Sequence, residues 1–113
     1  MAVVGSVAGD RGRRSNYHYG AAKGALDTFL AGLRSDVLEA GVRVITVKPG
    51  FVDTPMTKNF KKGVLWAKPD KVAKDIDYAI AGNAEIIYTP WFWRYIMLII
   101  KCIPEKLFKR FPL

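Results

Sequence analysis

The middle of the chain reads YHYGAAKGALDTFLAGLRSDVLEAGVRVITVKPG, from Tyr17 to Gly50. Alanines and large apolar residues recur at helical spacing over residues 17–40, and Gly41 is typical of a helix end. The β-branched run over residues 42–47 predicts a strand, and the proline–glycine pair shortly after it predicts the end of that strand. The stretch is therefore predicted to form one compact helix–strand unit.

The segments on either side of this unit extend the same alternation. Residues 2–7 form a short apolar run that is typical of a buried parallel strand. Residues 69–82 predict a second helix with proline in its first turn, and residues 85–89 predict a third strand. The basic stretch 52–68 reads as a loop with a short helix over residues 57–62. Strand, helix, strand, helix, strand is the order of a parallel α/β sheet, which is the fold class we predict.

Length and composition limit the classes of protein that the chain can represent. Its 113 residues, half of them hydrophobic, make at most one domain. The single cysteine, Cys102, excludes an internal disulfide and a cysteine metal site. The single histidine, His18, argues against a histidine metal cluster and a serine–histidine triad, so we expect no metal. The first residues lack the pattern of a secretory signal, and we expect a reduced, cytoplasmic protein.

The charge balance narrows the expected partners. The formal net charge is +8, and the sequence pI is about 9.8. Such a charge suits nucleic acid, an anionic membrane surface or an acidic substrate. No recognised nucleic-acid-binding motif accompanies the charge, so we do not expect nucleic acid as a partner.

Three residues near the start of the predicted long helix suggest acid–base chemistry. Tyr19 and Lys23 are four residues apart, and Ser6 lies thirteen residues before the tyrosine. Residues i and i+4 share a helix face, so the phenol and the ammonium become neighbours. An ammonium beside a phenol stabilises the phenolate, which makes the phenol a better acid at neutral pH. Ligands of parallel α/β sheets bind beyond the carboxyl ends of the strands, where Ser6 also lies.

The order and spacing of three motifs resemble the short-chain dehydrogenase/reductase family. The motifs are Gly5-Ser-Val-Ala-Gly9, Tyr19-Gly-Ala-Ala-Lys23 and Val47-Lys-Pro-Gly-Phe-Val-Asp-Thr54. The resemblance is close over residues 1 to about 57 and looser over the rest. It implies the C-terminal half of a Rossmann-like parallel sheet with helices, incomplete without the N-terminal cofactor-binding half.

The resemblance also implies roles for individual residues in an NAD(P)-dependent oxidoreductase. Tyr19 would donate a proton when a ketone is reduced and accept one when a secondary alcohol is oxidised. Lys23 would stabilise the phenolate and hydrogen-bond the nicotinamide ribose, while Ser6 would hold the substrate oxygen. Besides Lys23, the residues implied to contact the cofactor, NAD or NADP, are Pro49, Gly50, Val52 and Thr54.

One feature of that family is missing from these residues. The glycine-rich loop that holds the cofactor pyrophosphate at a helix N-terminus has no counterpart in residues 1–113. We therefore expect a single, partial NAD(P)-binding Rossmann domain, a truncated form with impaired cofactor binding and little turnover by itself. The alternative is a non-catalytic remnant, or an interaction or membrane-surface module, that retains this half of the fold.

The C-terminal tail, residues 91–113, is both apolar and basic. It is similar to the tail of decaprenylphosphoryl keto-pentose reductases, which implies a lipid-linked carbonyl or alcohol substrate as an alternative to a small molecule. Its apolar run is far shorter than the roughly 20 residues of a spanning helix. We expect either an interfacial helix at a membrane surface or a helix packed over the substrate pocket or a partner subunit.

The predicted helix over residues 17–40 carries a further expectation. Helices at this position commonly form subunit interfaces in the family that the sequence resembles, which implies a homo-oligomer. The alanine-rich, apolar faces of the helix equally allow burial against another part of the same protein.

Overall fold

A computed structural model of the chain describes residues 1–51 and 65–112. Within these residues the elements follow the predicted alternation of strands and helices. They are, in chain order, β1 (Ala2–Val4), a 3-10 turn (Val7–Gly9), α1 (Tyr17–Asp36), β2 (Ile45–Pro49), α2 (Pro69–Ala81), β3 (Ile86–Thr89), α3 (Trp93–Cys102) and α4 (Glu105–Phe108). The short helix predicted over residues 57–62 lies outside the described residues.

The three described strands form one parallel sheet with β2 in the middle. Val3 of β1 pairs with Thr46, and Val47 pairs with Ile87 of β3. Successive side chains of a strand point to opposite faces, so the side chains of β2 contact one helix on each face of the sheet. Its Val47 packs against Ala79 of α2 in the core. The predicted α/β fold with a parallel sheet is confirmed.

The other face of β2 lies against α1. Arg34 of α1 donates hydrogen bonds to the carbonyl oxygen of Val44 at 3.0 Å and to Oγ1 of Thr46 at 2.8 Å. Leu30 of the same helix is buried. Helices therefore cover both faces of the sheet.

Several element boundaries differ from the predictions. The long helix ends at Asp36 rather than at residue 40, and turns lead from there to Gly41, whose φ is +75°. The second strand covers residues 45–49 rather than 42–47, because Lys48 and Pro49 still pair with β3. The first strand is also shorter than predicted, because the chain turns at Ser6 into the 3-10 turn.

The C-terminal helices pack back against the loop that follows the 3-10 turn. The Arg11 guanidinium donates to the carbonyl oxygens of Ile100 at 2.6 Å and Ile103 at 2.5 Å, and it pairs with Glu105 at 2.9 Å. The same guanidinium lies 3.9 Å from the centre of the Phe108 ring. Arg11 thus connects the end of α3 and the start of α4 to the body of the domain.

Candidate functional site

Ser6 lies just beyond the carboxyl end of β1 and is buried. The backbone N–H of Gly5 donates to the carbonyl oxygen of Val47 at 2.7 Å, which holds this segment against β2. The Ser6 Oγ accepts a hydrogen bond from the backbone N–H of Ala8 at 3.0 Å and caps the 3-10 turn. Because Oγ is the acceptor in this bond, the hydroxyl hydrogen stays available to a ligand.

Small residues bring the 3-10 turn against α1. A Cβ at Gly20 would lie 2.8 Å from the carbonyl oxygen of Ala8, and a Cβ at Gly9 would lie 2.8 Å from the backbone nitrogen of Gly24. Two backbones can approach this closely only where side chains are missing. The glycines therefore set the spacing between the segment that carries Ser6 and the helix that carries Tyr19.

Tyr19 and Lys23 occupy neighbouring positions in the first two turns of α1. The Lys23 Nζ lies 5.6 Å from the centre of the Tyr19 ring, and the Tyr19 side chain is 42% exposed. Within residues 1–51 and 65–112, neither the Tyr19 hydroxyl nor the Lys23 ammonium makes a hydrogen bond or an ion pair. Both polar groups can therefore bind a ligand without losing a protein partner.

Pro49 and Gly50 lie at the carboxyl end of β2. The Gly50 N–H donates to the carbonyl oxygen of Thr89 at 3.1 Å. The indole of Trp93 lies directly over Gly50, since a Cβ there would be 2.1 Å from two indole atoms. The predicted site residues Val52 and Thr54 lie outside the described residues.

A cluster of charged groups, which the sequence analysis did not identify, joins the strands and α1 behind this site. The Lys48 ammonium bonds Oδ1 of Asp10 at 2.7 Å and lies 3.6 Å from Oδ2 of Asp27. The Tyr88 hydroxyl donates to Oδ2 of Asp10 at 2.5 Å. The Asp10 side chain is only 2% exposed, so its charge depends on these partners.

Burial and pairing shift the pKa values in this cluster. Burial alone would lower the pKa of Lys48, but the hydrogen bond and the charge of Asp10 outweigh it and raise that pKa. Burial and the bond to Asp10 raise the pKa of Tyr88 to about 12. Burial also raises the pKa of Asp27, whose Oδ1 has no hydrogen-bond partner among the described residues. The Lys48 ammonium and the neutral Tyr88 phenol are thus the stable forms around Asp10.

One sequence signal could have pointed to this cluster. Lys48 is the charged residue of an otherwise uncharged strand, ITVKP, and a lysine in a buried strand needs an acidic partner. The sequence does not say which acid supplies it, because Asp10 and Asp27 are 38 and 21 residues away. Only the packing of α1 and the 3-10 turn on β2 identifies them.

An apolar cavity of about 260 Å³ lies next to the 3-10 turn, and Ser6, Tyr19 and Lys23 are not among its described lining residues. Val7 and Ala8, which directly follow Ser6, form one wall, and Phe51 contributes to another. The inner face of α3 closes it with Trp93, Ile96, Met97 and Ile100. Arg11 and Arg13 are the charged residues among its described lining residues. The cavity suits an apolar ligand with a polar or anionic end.

The described residues contain no group of three or more histidine, cysteine, aspartate or glutamate side chains placed to hold a metal ion. Nor does any helix within these residues have the length and hydrophobicity to cross a membrane.

Comparisons with known proteins show the family of the chain. A family model described as short chain dehydrogenase matches residues 1–64. An uncharacterized oxidoreductase of Mycobacterium tuberculosis is 35% identical over 99% of this chain and 45% of its own length. An acetoacetyl-CoA reductase of Cupriavidus necator is 33% identical over 80% of this chain and 35% of its own length.

The fold also matches a solved structure. A short chain dehydrogenase from Burkholderia cenocepacia, solved in complex with NADP, superposes with a TM-score of 0.78 at 22% identity. The match covers 91% of this chain and 47% of that protein. This chain thus spans less than half the length of these relatives.

Proposed function

Because this chain belongs to the short-chain dehydrogenase family, we propose that it acts in an NAD(P)-dependent oxidoreductase that interconverts a ketone and a secondary alcohol. One observation carries the proposal: Tyr19 and Lys23 share a face of α1, with unpaired polar groups among the described residues, and glycine contacts hold that helix against the Ser6 turn. A phenol beside an ammonium can protonate a carbonyl oxygen, and a serine hydroxyl can donate a hydrogen bond to the same oxygen.

Each of the three residues has a distinct proposed role. The Tyr19 hydroxyl gives its proton to the substrate oxygen during reduction and takes it back during oxidation. The Lys23 ammonium stabilises the phenolate that this transfer leaves on Tyr19. The Ser6 hydroxyl, oriented by the N–H of Ala8, donates a hydrogen bond to the same substrate oxygen.

The residues present are compatible with a nicotinamide cofactor. Lys23 has three N–H donors that no described residue uses, which suits the hydroxyl groups of a ribose. Pro49 and Gly50 end β2 at the sheet edge where cofactors of parallel sheets bind. Bound NAD or NADP would supply the hydride; the chain supplies orientation and the proton.

The cavity beside Ser6 supports a substrate with an apolar body. Its walls are mostly aliphatic and aromatic, so they favour a hydrocarbon chain over a sugar or an amino acid. A relative named as an acetoacetyl-CoA reductase supports carbonyl reduction as the reaction class. A carbonyl on an apolar chain, free or lipid-linked, is the substrate class that we propose.

The test compares the chain alone with a fusion protein. The fusion adds, before Met1, the part of the Mycobacterium oxidoreductase that precedes the matched region. We expect little NADPH oxidation with acetoacetyl-CoA from the chain alone, and clear turnover from the fusion. Tyr19→Phe should lower the turnover of the fusion by about 100-fold to 10,000-fold, because it removes the proton donor.

Tyr17→Phe is the matched control, since it removes a phenol from the same helix turn without touching the Tyr19–Lys23 pair. It should leave turnover nearly unchanged. Equal turnover of the Tyr19→Phe fusion and the unmodified fusion would contradict the proposed function.

A non-catalytic interaction module is the second candidate function. The observation that favours it is the exposed apolar side of α3, which a purely catalytic role does not explain. A fusion that binds NADPH but turns over no ketone or alcohol would favour this candidate.

A further inference from the structure

The helix α3 is apolar on two opposite sides. Its inner face, formed by Trp93, Ile96, Met97 and Ile100, lines the cavity beside the Ser6 turn. Its outer face is formed by Trp91 in the preceding turn and by Tyr95, Leu98, Ile99 and Cys102, all of them exposed. A helix turns by about 100° per residue, so these five positions share one side of the helix.

The outer face exposes large apolar side chains to water. Trp91 is 67% exposed and Ile99 is 66% exposed, and the rings of Trp91 and Tyr95 lie 6.0 Å apart in an edge-to-face arrangement. A water-facing helix side normally carries charged and polar residues. This side of α3 is therefore apolar where the described part of the fold leaves it uncovered.

Charge indicates what this surface contacts. Arg94 and Lys101, seven residues apart, flank the outer face along one side. Arg94 also donates to the carbonyl oxygen of Ile86 at 3.0 Å, and the Lys101 ammonium lies 3.9 Å from Oδ2 of Asp10. Residues 91–113 hold five basic side chains and one acidic side chain, Glu105. Glu105 is paired with Arg11 at 2.9 Å, so the segment presents an excess of positive charge to its surroundings. An apolar face with tryptophan and tyrosine at one end and cations along its side matches an anionic lipid surface.

The dimensions of the face favour a membrane over a second copy of the chain. The helix has ten residues, so the face is about 15 Å long and about 10 Å wide. A stable protein interface needs about 800 Å² per partner, which is several times more. Two copies joined antiparallel through this face would also bring their rows of cations together.

We propose that the outer face of α3 binds the surface of a membrane that contains anionic lipids. The helix lies along the membrane surface, with the outer face among the acyl chains and the excess positive charge of residues 91–113 towards the head groups. Its inner face remains the wall of the apolar cavity, so the cavity lies one helix diameter from the lipid. This inference is independent of the proposed reaction, because it uses none of the residues Ser6, Tyr19 and Lys23.

The first test is co-sedimentation of the whole chain with vesicles. We expect binding to vesicles of phosphatidylcholine and phosphatidylglycerol in equal parts, and little binding to phosphatidylcholine alone. Added salt should weaken binding, because salt screens the attraction between basic residues and anionic lipids. The loss should be about five-fold for each basic residue that is fully screened. Equal binding to both kinds of vesicle, or no binding, would overturn the proposal.

The second test changes the outer face. Leu98→Ser combined with Ile99→Ser should reduce the partition coefficient by at least about ten-fold, because two buried aliphatic side chains are lost. Phe29→Ser combined with Leu38→Ser is the matched control, since these residues are 64% and 71% exposed but lie at α1 and the turn after it. Equal losses in both double variants would contradict a specific role for α3.

A third readout separates membrane contact from misfolding and self-association. Lipids with brominated acyl chains should quench the fluorescence of the exposed Trp91, and Trp91→Phe should remove that quenching while vesicle binding persists. Sedimentation velocity without lipid should give the same species for the unmodified chain and for the Leu98→Ser, Ile99→Ser variant. A dimer that Leu98→Ser and Ile99→Ser dissociate would identify a second copy as the occupant and overturn the proposal.

Discussion

At the scale of single residues, Asp10 is the group on which the site most depends. Its carboxylate is almost fully buried and is bonded by Lys48 and Tyr88, which come from two neighbouring strands. A buried carboxylate is tolerated only with such partners, because desolvation of a charge costs several kcal/mol. Asp10 directly follows the 3-10 turn, so these bonds hold the Ser6 segment to the sheet.

Replacement of Lys48 tests this view of the cluster. Lys48→Met should lower the free energy of unfolding by about 3–5 kcal/mol, because it leaves the Asp10 charge buried without its main partner. Adding Asp10→Asn should restore part of that loss, since the amide carries no charge. Chemical denaturation of the four proteins of this double-mutant cycle gives the coupling free energy. Strictly additive losses would show that the pair is not coupled.

The pKa of Tyr88 predicts an alkaline loss of stability. In the folded protein that pKa is raised from 10.0 to about 12, so the native state keeps a proton that the unfolded chain releases. The stabilisation is therefore complete below pH 10.0 and is lost as the pH rises towards 12.

Tyr88→Phe should remove this dependence and cost about 1–2 kcal/mol at neutral pH, through the lost bond to Asp10. The measurement is the difference in unfolding free energy between the two proteins at a series of pH values. A difference that stays constant above pH 10.0 would contradict the pKa shift.

At the scale of elements, the contact of α3 with the end of β2 depends on a missing side chain. The indole of Trp93 fills the space where a Cβ of Gly50 would lie. Overpacking of this kind costs typically 1–3 kcal/mol, because the larger group must move. The contact positions α3 as the wall of the apolar cavity.

Gly50→Ala should therefore lower the free energy of unfolding by about 1–3 kcal/mol. On a Trp93→Leu background the same change should cost little, since the indole that the new methyl group would meet is gone. Thermal or chemical unfolding of the single and double variants measures both values. An equal cost on both backgrounds would contradict a clash between the new methyl group and the Trp93 indole.

The expected role of the long helix in a homo-oligomer stays a prediction. The exposed side chains of Phe29, in α1, and Leu38, after it, are compatible with a subunit interface. They are equally compatible with burial against another part of a longer protein, because both arrangements need an apolar face.

At the scale of the whole molecule, the apolar cavity and the proposed lipid contact lie on the two sides of one helix. The inner face of α3 closes the cavity next to the Ser6 turn, and its outer face carries the proposed lipid contact. Arg11 joins α3 and α4 to the loop between that turn and α1. Both proposals therefore concern one connected part of the domain, although their tests are independent.

Sequence alone determined the order of the elements and the family. Helical periodicity over residues 17–40 and β-branched runs on either side are local signals, and local signals fix whether a segment is helix or strand. Ser6, Tyr19 and Lys23 are also close in sequence. Tyr19 and Lys23 share a helix face because they are four residues apart, and one connecting loop separates them from Ser6.

Only the tertiary structure revealed which distant residues meet. The partners of Lys48, the indole over Gly50 and the two faces of α3 depend on how helices pack on the sheet, and composition along the chain does not encode that packing. The segment that we propose for the membrane contact is also smaller than the predicted one, 91–113. It is limited to the outer face of α3, because Phe108 is buried and Glu105 is paired with Arg11. Local pattern is read from neighbours in sequence, whereas burial and ion pairing are set by neighbours in space.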